Sequence, residues 1–239
     1  MAALFWGLLC LVVCATKVRT APRLVGLVVL LYGLDVVMVL LPPWLGPWAN
    51  FNLHYNWTGK LLSALLSLLV IYGLRLASPQ EVGLVRTVRG WRVLALVALF
   101  FAGLQLGAGY LNRHHHAQPN LETYLYQLTM PGIAEELFSR GILLALLNRL
   151  FPRTIPFFGT QTSWGGLATV ILFALGHGFS FAGPLALLPQ APFAFGSAGN
   201  AAVFGLLFLW VRERSGSCWA AMATHNLSNI GLFVGLSFG

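Results

Sequence analysis

Apolar runs separated by short polar breaks make up most of this chain. Eight runs come close to or exceed the roughly 20 residues that an α-helix needs to cross a bilayer. Proline lies in or beside most of the breaks, where it ends helices. The pattern therefore predicts an all-α, polytopic membrane protein with about eight transmembrane helices. The predicted spans are residues 2–15, 24–41, 61–76, 93–111, 121–150, 165–179, 193–211 and 217–238.

Three of these runs need further interpretation. The seventh begins in a glycine- and proline-rich region, residues 182–199, which leaves open a re-entrant or interfacial loop. In the fifth, Pro131 and Gly132 leave open a division into an interfacial helix and a true span. The first run has no basic residue before it and three soon after it, so we expect it to stay as a span and not to be cleaved as a signal peptide.

Composition excludes a soluble protein. Hydrophobic residues make up 58% of the 239 residues and charged residues 8%, whereas soluble domains carry about 25% charged residues. Eight spans leave only short connections, so we expect residues 1–239 to form a single domain embedded in the lipid bilayer. The net charge of +8 does not indicate nucleic-acid binding, because the basic residues are scattered between the apolar runs. Cys10, Cys14 and Cys218 should be buried apolar thiols.

The basic residues predict the orientation in the membrane. Connections after odd-numbered spans carry 11 Lys and Arg residues, and those after even-numbered spans carry only Lys60 and Arg113. Positive residues favour the cytoplasmic side, so with eight spans both termini should be non-cytoplasmic. The absence of long extensions makes us expect a compact prokaryotic protein of the cell membrane.

Two carboxylates and a guanidinium interrupt the fifth run. The chain has six acidic residues, and two of them, Glu135 and Glu136, are adjacent in this run. Charges inside a bilayer are costly and are functional candidates by default. At 100° per residue the two carboxylates point in different directions. Glu136 and Arg140 have the i,i+4 spacing of an ion pair, which leaves Glu135 free to face a cavity.

Other polar side chains interrupt the sixth and eighth runs. His177 lies at the outer end of the sixth, and His225 and Asn229 share one face of the eighth. With Glu135 they supply a general base, an imidazole and hydrogen-bond donors, the groups that hydrolysis of a carbonyl compound requires. We expect them to line a polar cavity in the C-terminal half. Taken separately, each is also compatible with a structural role, either at a helix end or at a contact between helices.

Other chemistries fit the sequence less well. Asp35 is the only aspartate, which excludes a two-aspartate protease, and there is no His-Glu-x-x-His zinc motif. We expect Asp35 to form a helix-packing hydrogen bond and the run from His114 to His116 to be a solvated loop. Ser180 fits a loop serine better than a nucleophile.

The order of the three motifs along the chain is more specific for a protein family than any one of these residues. Glu-Glu-x-x-x-Arg (135–140), Phe-x-x-x-His (173–177) and His-x-x-x-Asn (225–229), each on its own hydrophobic helix, resemble the CPBP family of intramembrane proteases. That family contains the type II CAAX prenyl proteases and bacteriocin-processing enzymes. The resemblance covers about residues 121–239, the motif-bearing core, and the first half matches only as apolar spans.

This resemblance implies an intramembrane endopeptidase that cleaves a membrane-associated protein or peptide, for example by trimming a C-terminal anchor. It assigns Glu135 as the base, His177 as its assistant, and His225 and Asn229 as the oxyanion hole. It also implies a mechanism without a metal or other cofactor. Glu135, His177 and His225 are alternative zinc ligands by residue type.

Two other functions compete with the protease. Glutamates and histidines inside a membrane also suit a proton-coupled transporter, although the first half has no matching polar set of the kind that repeat-built carriers often show. A catalytically silent scaffold or immunity protein is the third possibility, against which the complete motif set argues. If the arginine-rich connections are cytoplasmic, Glu135 and His177 lie toward the non-cytoplasmic face, and the active site should open there.

Overall fold

The computed structural model describes residues 2–186 and 188–238, so Met1, Leu187 and Gly239 of the predicted domain lie outside the described residues. A helix covers each of the eight apolar runs. The α-helices are α1 Ala2–Val13, α2 Pro22–Leu45, α3 Trp57–Leu68, α4 Pro79–Val82, α5 Trp91–Asn112, α6 Leu121–Pro131, α7 Leu144–Leu150, α8 Trp164–Gly178, α9 Phe195–Ser215 and α10 Cys218–Leu236. Strands β1 Ile155–Phe157 and β2 Thr160–Thr162 form a short antiparallel hairpin between α7 and α8.

Three of the described helices are long and apolar enough to cross a membrane: α2, α9, and α5 with the turn after it, Trp91–His115. Two shorter apolar helices are Trp57–Gly73, which is α3 with a π-helical last turn, and Trp164–Gly178. The protein is therefore an all-α integral membrane protein, and the number of eight spans stays a prediction. Because α9 is an unbroken helix of 21 residues, the structure favours a helix over a re-entrant loop for the seventh run.

The fifth run is one continuous helical segment, contrary to the division that Pro131 and Gly132 left open. A π-helical segment, Gly132–Leu143, joins α6 directly to α7, and Gly132 keeps helical backbone angles. Asn226 of α10 stabilises this junction, because its side-chain oxygen accepts a hydrogen bond from the Gly132 N–H at 2.8 Å and its amide donates to the Thr129 carbonyl at 3.3 Å. The segment that carries both glutamates is thus fastened to the helix that carries His225.

Glycines allow α10 to lie directly against α5. A Cβ atom at Gly231 would collide with the backbone of Ala102, and one at Gly235 would collide with the carbonyl of Leu106. Small residues of this kind let helix backbones approach closely in membranes. The contact holds α10, and with it the third motif, in a fixed position beside the bundle.

Several arginines meet two glutamates at one end of the bundle. Arg149 binds Glu81 at 2.8 Å, and Arg153 binds Glu213 at 2.7 Å. The Ser78 backbone N–H and Arg149 hold the pKa of Glu81 below its usual range. Arg212 donates to the Glu81 carbonyl at 2.7 Å. These contacts tie together connections that the sequence predicts to be on one side of the membrane.

The remaining local predictions concern cysteines, histidines and Asp35. All three cysteines are buried and free, and the side chains from His114 to His116 are exposed, both as predicted. Asp35 of α2 accepts a hydrogen bond from Ser63 of α3, which is the predicted packing role.

Candidate active site

The four side chains that the motifs single out border one cavity of about 330 Å³. Glu135 comes from the π-helical segment, His177 from the end of α8, and His225 and Asn229 from α10. Gln105, Gln127, Ser197 and Asn200 add further polar groups to its wall. The cavity therefore brings three distant parts of the chain together around several hydrogen-bonding side chains.

Glu135 uses its two carboxylate oxygens differently. Oε1 accepts a hydrogen bond from the ammonium group of Lys60 at 2.7 Å. Oε2 has no hydrogen-bond partner among the described residues. It lies 3.8 Å from Nε2 of His177, which is too far for a direct hydrogen bond. Oε2 is buried, so a water molecule would satisfy both atoms once the two side chains move apart enough to admit it.

His177 is oriented by the helix that carries it. Its Nδ1 lies 2.8 Å from the Phe173 carbonyl oxygen. Because a carbonyl only accepts, Nδ1 carries the proton, and Nε2 is the atom that faces Glu135. The Phe173 ring packs on the imidazole with 4.4 Å between ring centroids. The second motif thus supplies both the imidazole and its support.

Glu136 and Arg140 form a fully buried ion pair. Nη1 of Arg140 lies 3.2 Å from Oε1 of Glu136, and both side chains are 0% exposed. Arg140 also donates to the Gly205 carbonyl at 3.1 Å and lies 4.3 Å from the centre of the Phe173 ring. Buried charges need such partners to offset the loss of hydration.

Glu136 also contacts the third motif, which its spacing in the sequence does not predict. Nδ1 of His225 lies 2.9 Å from Oε1 of Glu136. The imidazole stacks on Phe208, with ring centroids 4.5 Å apart and planes inclined by 13°. With Nδ1 engaged, Nε2 is the ring nitrogen left to face a substrate. The i,i+4 spacing suggested a structural ion pair alone, and the bond to His225 was visible only once α10 was placed.

Asn229 lies one helical turn after His225. Its side-chain amide donates a hydrogen bond to Oε1 of Gln127 at 2.9 Å. An amide group has two N–H donors. This contact uses one of them and fixes the orientation of the amide, and the second N–H can donate to another acceptor. Gln127 of α6 is a site residue that no motif indicated.

A second cavity, of about 320 Å³, adjoins the first, because Glu135, Phe173 and His177 line both. Its wall is mainly aliphatic and aromatic, and Asp35, Lys60 and Ser63 of the first half supply polar groups. In the predicted topology, Lys60 belongs to the connection before the third span. The structure instead places it inside α3, beside Glu135.

The alternative zinc ligands do not form a metal cluster. Across residues 2–186 and 188–238, no group of three or more His, Cys, Asp and Glu side chains is placed to hold a metal ion. Independence from metal stays a prediction.

Comparisons with known proteins bear on the C-terminal half of the chain. Residues 117–231 match the family model described as type II CAAX prenyl endopeptidase Rce1-like. Comparisons with curated proteins and with solved structures returned no significant match. The matched region contains all three motifs, and the proteins of this family are proteases. This match to the Rce1-like type II CAAX prenyl endopeptidase model supports membership of the chain in the CPBP family.

Proposed function

We propose that this protein is an intramembrane endopeptidase that hydrolyses a peptide bond with water activated by Glu135. One observation carries the proposal. Oε2 of Glu135 is buried, has no partner among the described residues, and faces Nε2 of His177 across 3.8 Å in the cavity that His225 and Asn229 also line. A carboxylate oxygen left without a partner beside an imidazole is suited to hold and deprotonate water.

The attacking water would lie between Glu135 and His177. It donates one hydrogen to Oε2 of Glu135 and the other to Nε2 of His177, so that an oxygen lone pair points into the cavity. When the water attacks the substrate carbonyl carbon, Glu135 takes its proton and a tetrahedral intermediate forms. His177 positions the water, which lowers the entropic part of the barrier.

The negatively charged oxygen of that intermediate needs hydrogen-bond donors to stabilise it. Asn229 offers its second N–H, and its bond to Gln127 holds the amide in place before the reaction. His225 presents Nε2 to this oxygen, with Glu136 on Nδ1, and the ring donates there when Nε2 carries a proton. Donors fixed in advance stabilise developing charge without reorganising.

Peptide-bond cleavage completes the reaction. Glu135 returns its proton to the leaving nitrogen as the C–N bond breaks. The products are a new C-terminal carboxylate and a new amine. No metal or other cofactor takes part in these steps.

The substrate is a membrane-associated protein or peptide. The site lies among apolar helices, and the second cavity beside Glu135 has a mainly aliphatic and aromatic wall. We further propose that the site opens to the non-cytoplasmic face of a prokaryotic cell membrane. Arg149, Arg153 and Arg212 of the arginine-rich connections are joined through Glu81 and Glu213, whereas Lys60 lies in the first turn of α3, at the other end of that helix from the connection that follows it. This orientation favours a segment trimmed after export, such as a C-terminal anchor, over a cytosolic prenylated protein.

A comparison of membrane fractions tests the proposal. Cells that carry the wild-type gene are compared with cells that carry Glu135→Gln, and new peptide termini are identified by mass spectrometry. We expect termini of a small set of membrane proteins to appear only with the wild-type protein. Identical sets of termini in both cell types would contradict a protease and would suit a silent scaffold.

A further inference from the structure

Lys60 is the feature of the site that neither the motifs nor the family match accounts for. It lies in α3, outside residues 117–231, which the family model covers. Its ammonium group is 2.7 Å from Oε1 of Glu135, and the two side chains are only 15% and 17% exposed. A short, partly buried contact between charged groups is stronger than an ordinary hydrogen bond.

The contact distinguishes the two oxygens of Glu135. With Oε1 bound to Lys60, the carboxylate cannot turn freely, and Oε2 is held toward His177. A glutamate side chain on its own has several rotatable bonds, and ordering them costs free energy. The lysine therefore sets in advance the carboxylate orientation that water activation requires.

The first turn of α3, which carries Lys60, is itself firmly held. Asn56 caps the helix by accepting from the Gly59 N–H at 3.0 Å and donates to the Val39 carbonyl of α2 at 2.8 Å. Glu122 of α6 accepts hydrogen bonds from the Tyr55 N–H and from the Trp57 indole. These bonds tie the start of α3 to the helices on either side, so Lys60 has a fixed base from which to reach Glu135.

From these contacts we infer that Lys60 is a positioning residue of the active site, one that holds the Glu135 carboxylate with Oε2 toward the attacking water. This inference rests on the proposed function of Glu135. It extends the site into the first half of the chain, where the sequence had indicated only generic spans. Lys60 itself touches neither the water nor the scissile bond.

The charge of Lys60 has a second consequence. Before attack, it offsets the carboxylate charge in surroundings of low polarity. As Glu135 takes the proton from water, negative charge moves to the substrate oxygen beside Glu135, and the nearby lysine charge still balances it. Replacing Lys60 by a neutral residue would leave Glu135 as a buried charge without its partner, which is unfavourable.

The experiment measures kcat and KM of purified protein in detergent. Its substrate is a synthetic peptide that spans a cut site found in the comparison of membrane fractions. For Lys60→Met we expect kcat to fall by about 10²-fold and KM to change by less than about threefold. Lys60→Arg, which restores a cation, should recover at least about tenfold of that loss. Lys17→Met is the matched control, because Lys17 is the only other lysine and lies against Phe151, away from the site.

Three outcomes would overturn the inference. The first is a kcat for Lys60→Met equal to that of wild type. The second is a loss that appears only in KM, and the third is a Lys60→Arg rate as low as that of Lys60→Met. If Lys60→Met does not fold, Lys60→Gln takes its place, with an expected loss of at least about tenfold in kcat. Activity of Glu135→Gln on the same peptide would instead overturn the proposed function.

Discussion

His225 and Glu136 are joined by a contact of 2.9 Å between Nδ1 of the imidazole and Oε1 of the carboxylate. This contact connects the first motif to the third and gives the two adjacent glutamates separate tasks. Glu135 faces the cavity, while Glu136 is buried, pairs with Arg140 and holds His225. The second glutamate therefore supports both the fold and the orientation of a site residue.

Replacement of Glu136 should mainly damage the fold. Glu136→Ala leaves Arg140 buried without its partner, and breaking a buried pair costs about 3–5 kcal/mol. We expect a large drop in the melting temperature in detergent and poor accumulation in the membrane. Glu81→Ala is the control, because it removes an exposed partner of Arg149 and the capping bond to Ser78, which together cost about 1–2 kcal/mol. Equal melting temperatures for the two variants would disprove the structural role.

Replacement of Asn229 should lower the cleavage rate more than the thermal stability. Removal of one oxyanion donor costs about 10²–10³-fold in kcat, so we expect a loss of that size in Asn229→Ala. Gln127→Ala should lose less, because Gln127 acts only by orienting Asn229. Both rates are measured with the same peptide and compared at equal thermal stability. A larger loss in Gln127→Ala than in Asn229→Ala would contradict the assignment.

The sequence predicted the helices well, because long apolar runs leave the chain few alternatives inside a bilayer. The residues of the three motifs are far apart in the chain, and the structure brings them to one cavity, although their catalytic roles stay predictions. The packing role of Asp35 was also predicted correctly. A lone carboxylate among apolar residues needs a hydrogen-bond donor, and Ser63 supplies it.

Two features were not predicted from the sequence. The π-helical segment around Glu135 has no distinctive periodicity, and its backbone depends on packing against Asn226 of α10. Lys60 was missed because the predicted span began at residue 61, whereas α3 begins at Trp57. The side chain of Asn56 caps the helix and explains the earlier start. An asparagine at this position was the signal available in the sequence, because asparagine is a preferred N-cap residue.

Activity should survive removal of metal ions. In the proposed mechanism, Glu135 and His177 hold water and His225 donates to the oxyanion, so no step requires zinc. We expect the cleavage rate of the purified protein to be unchanged after exhaustive chelation and dialysis, with total metal measured in the same sample. Loss of activity on chelation and its recovery with one equivalent of zinc would reverse this assignment.

The face to which the site opens can be tested by labelling. Single cysteines at Ala117 and Thr87, both exposed positions on connections, are introduced into a background without the three native cysteines. We expect a membrane-impermeant thiol reagent to label intact cells at Ala117 and not at Thr87. Permeabilised cells, in which both positions should react, provide the control. The opposite pattern in intact cells would place the site toward the cytoplasm.

The most direct test of the account is cleavage by Glu135→Gln in water enriched in ¹⁸O. Wild-type protein, Glu135→Gln and the distant control Glu81→Gln are reconstituted in liposomes with the cut-site peptide, and products are analysed by mass spectrometry. We predict that wild type and Glu81→Gln release a fragment with one ¹⁸O in its new carboxylate. Glu135→Gln, although folded, should be slower by at least about 10²-fold. Cleavage by Glu135→Gln at the wild-type rate would contradict the claim that Glu135 activates the water.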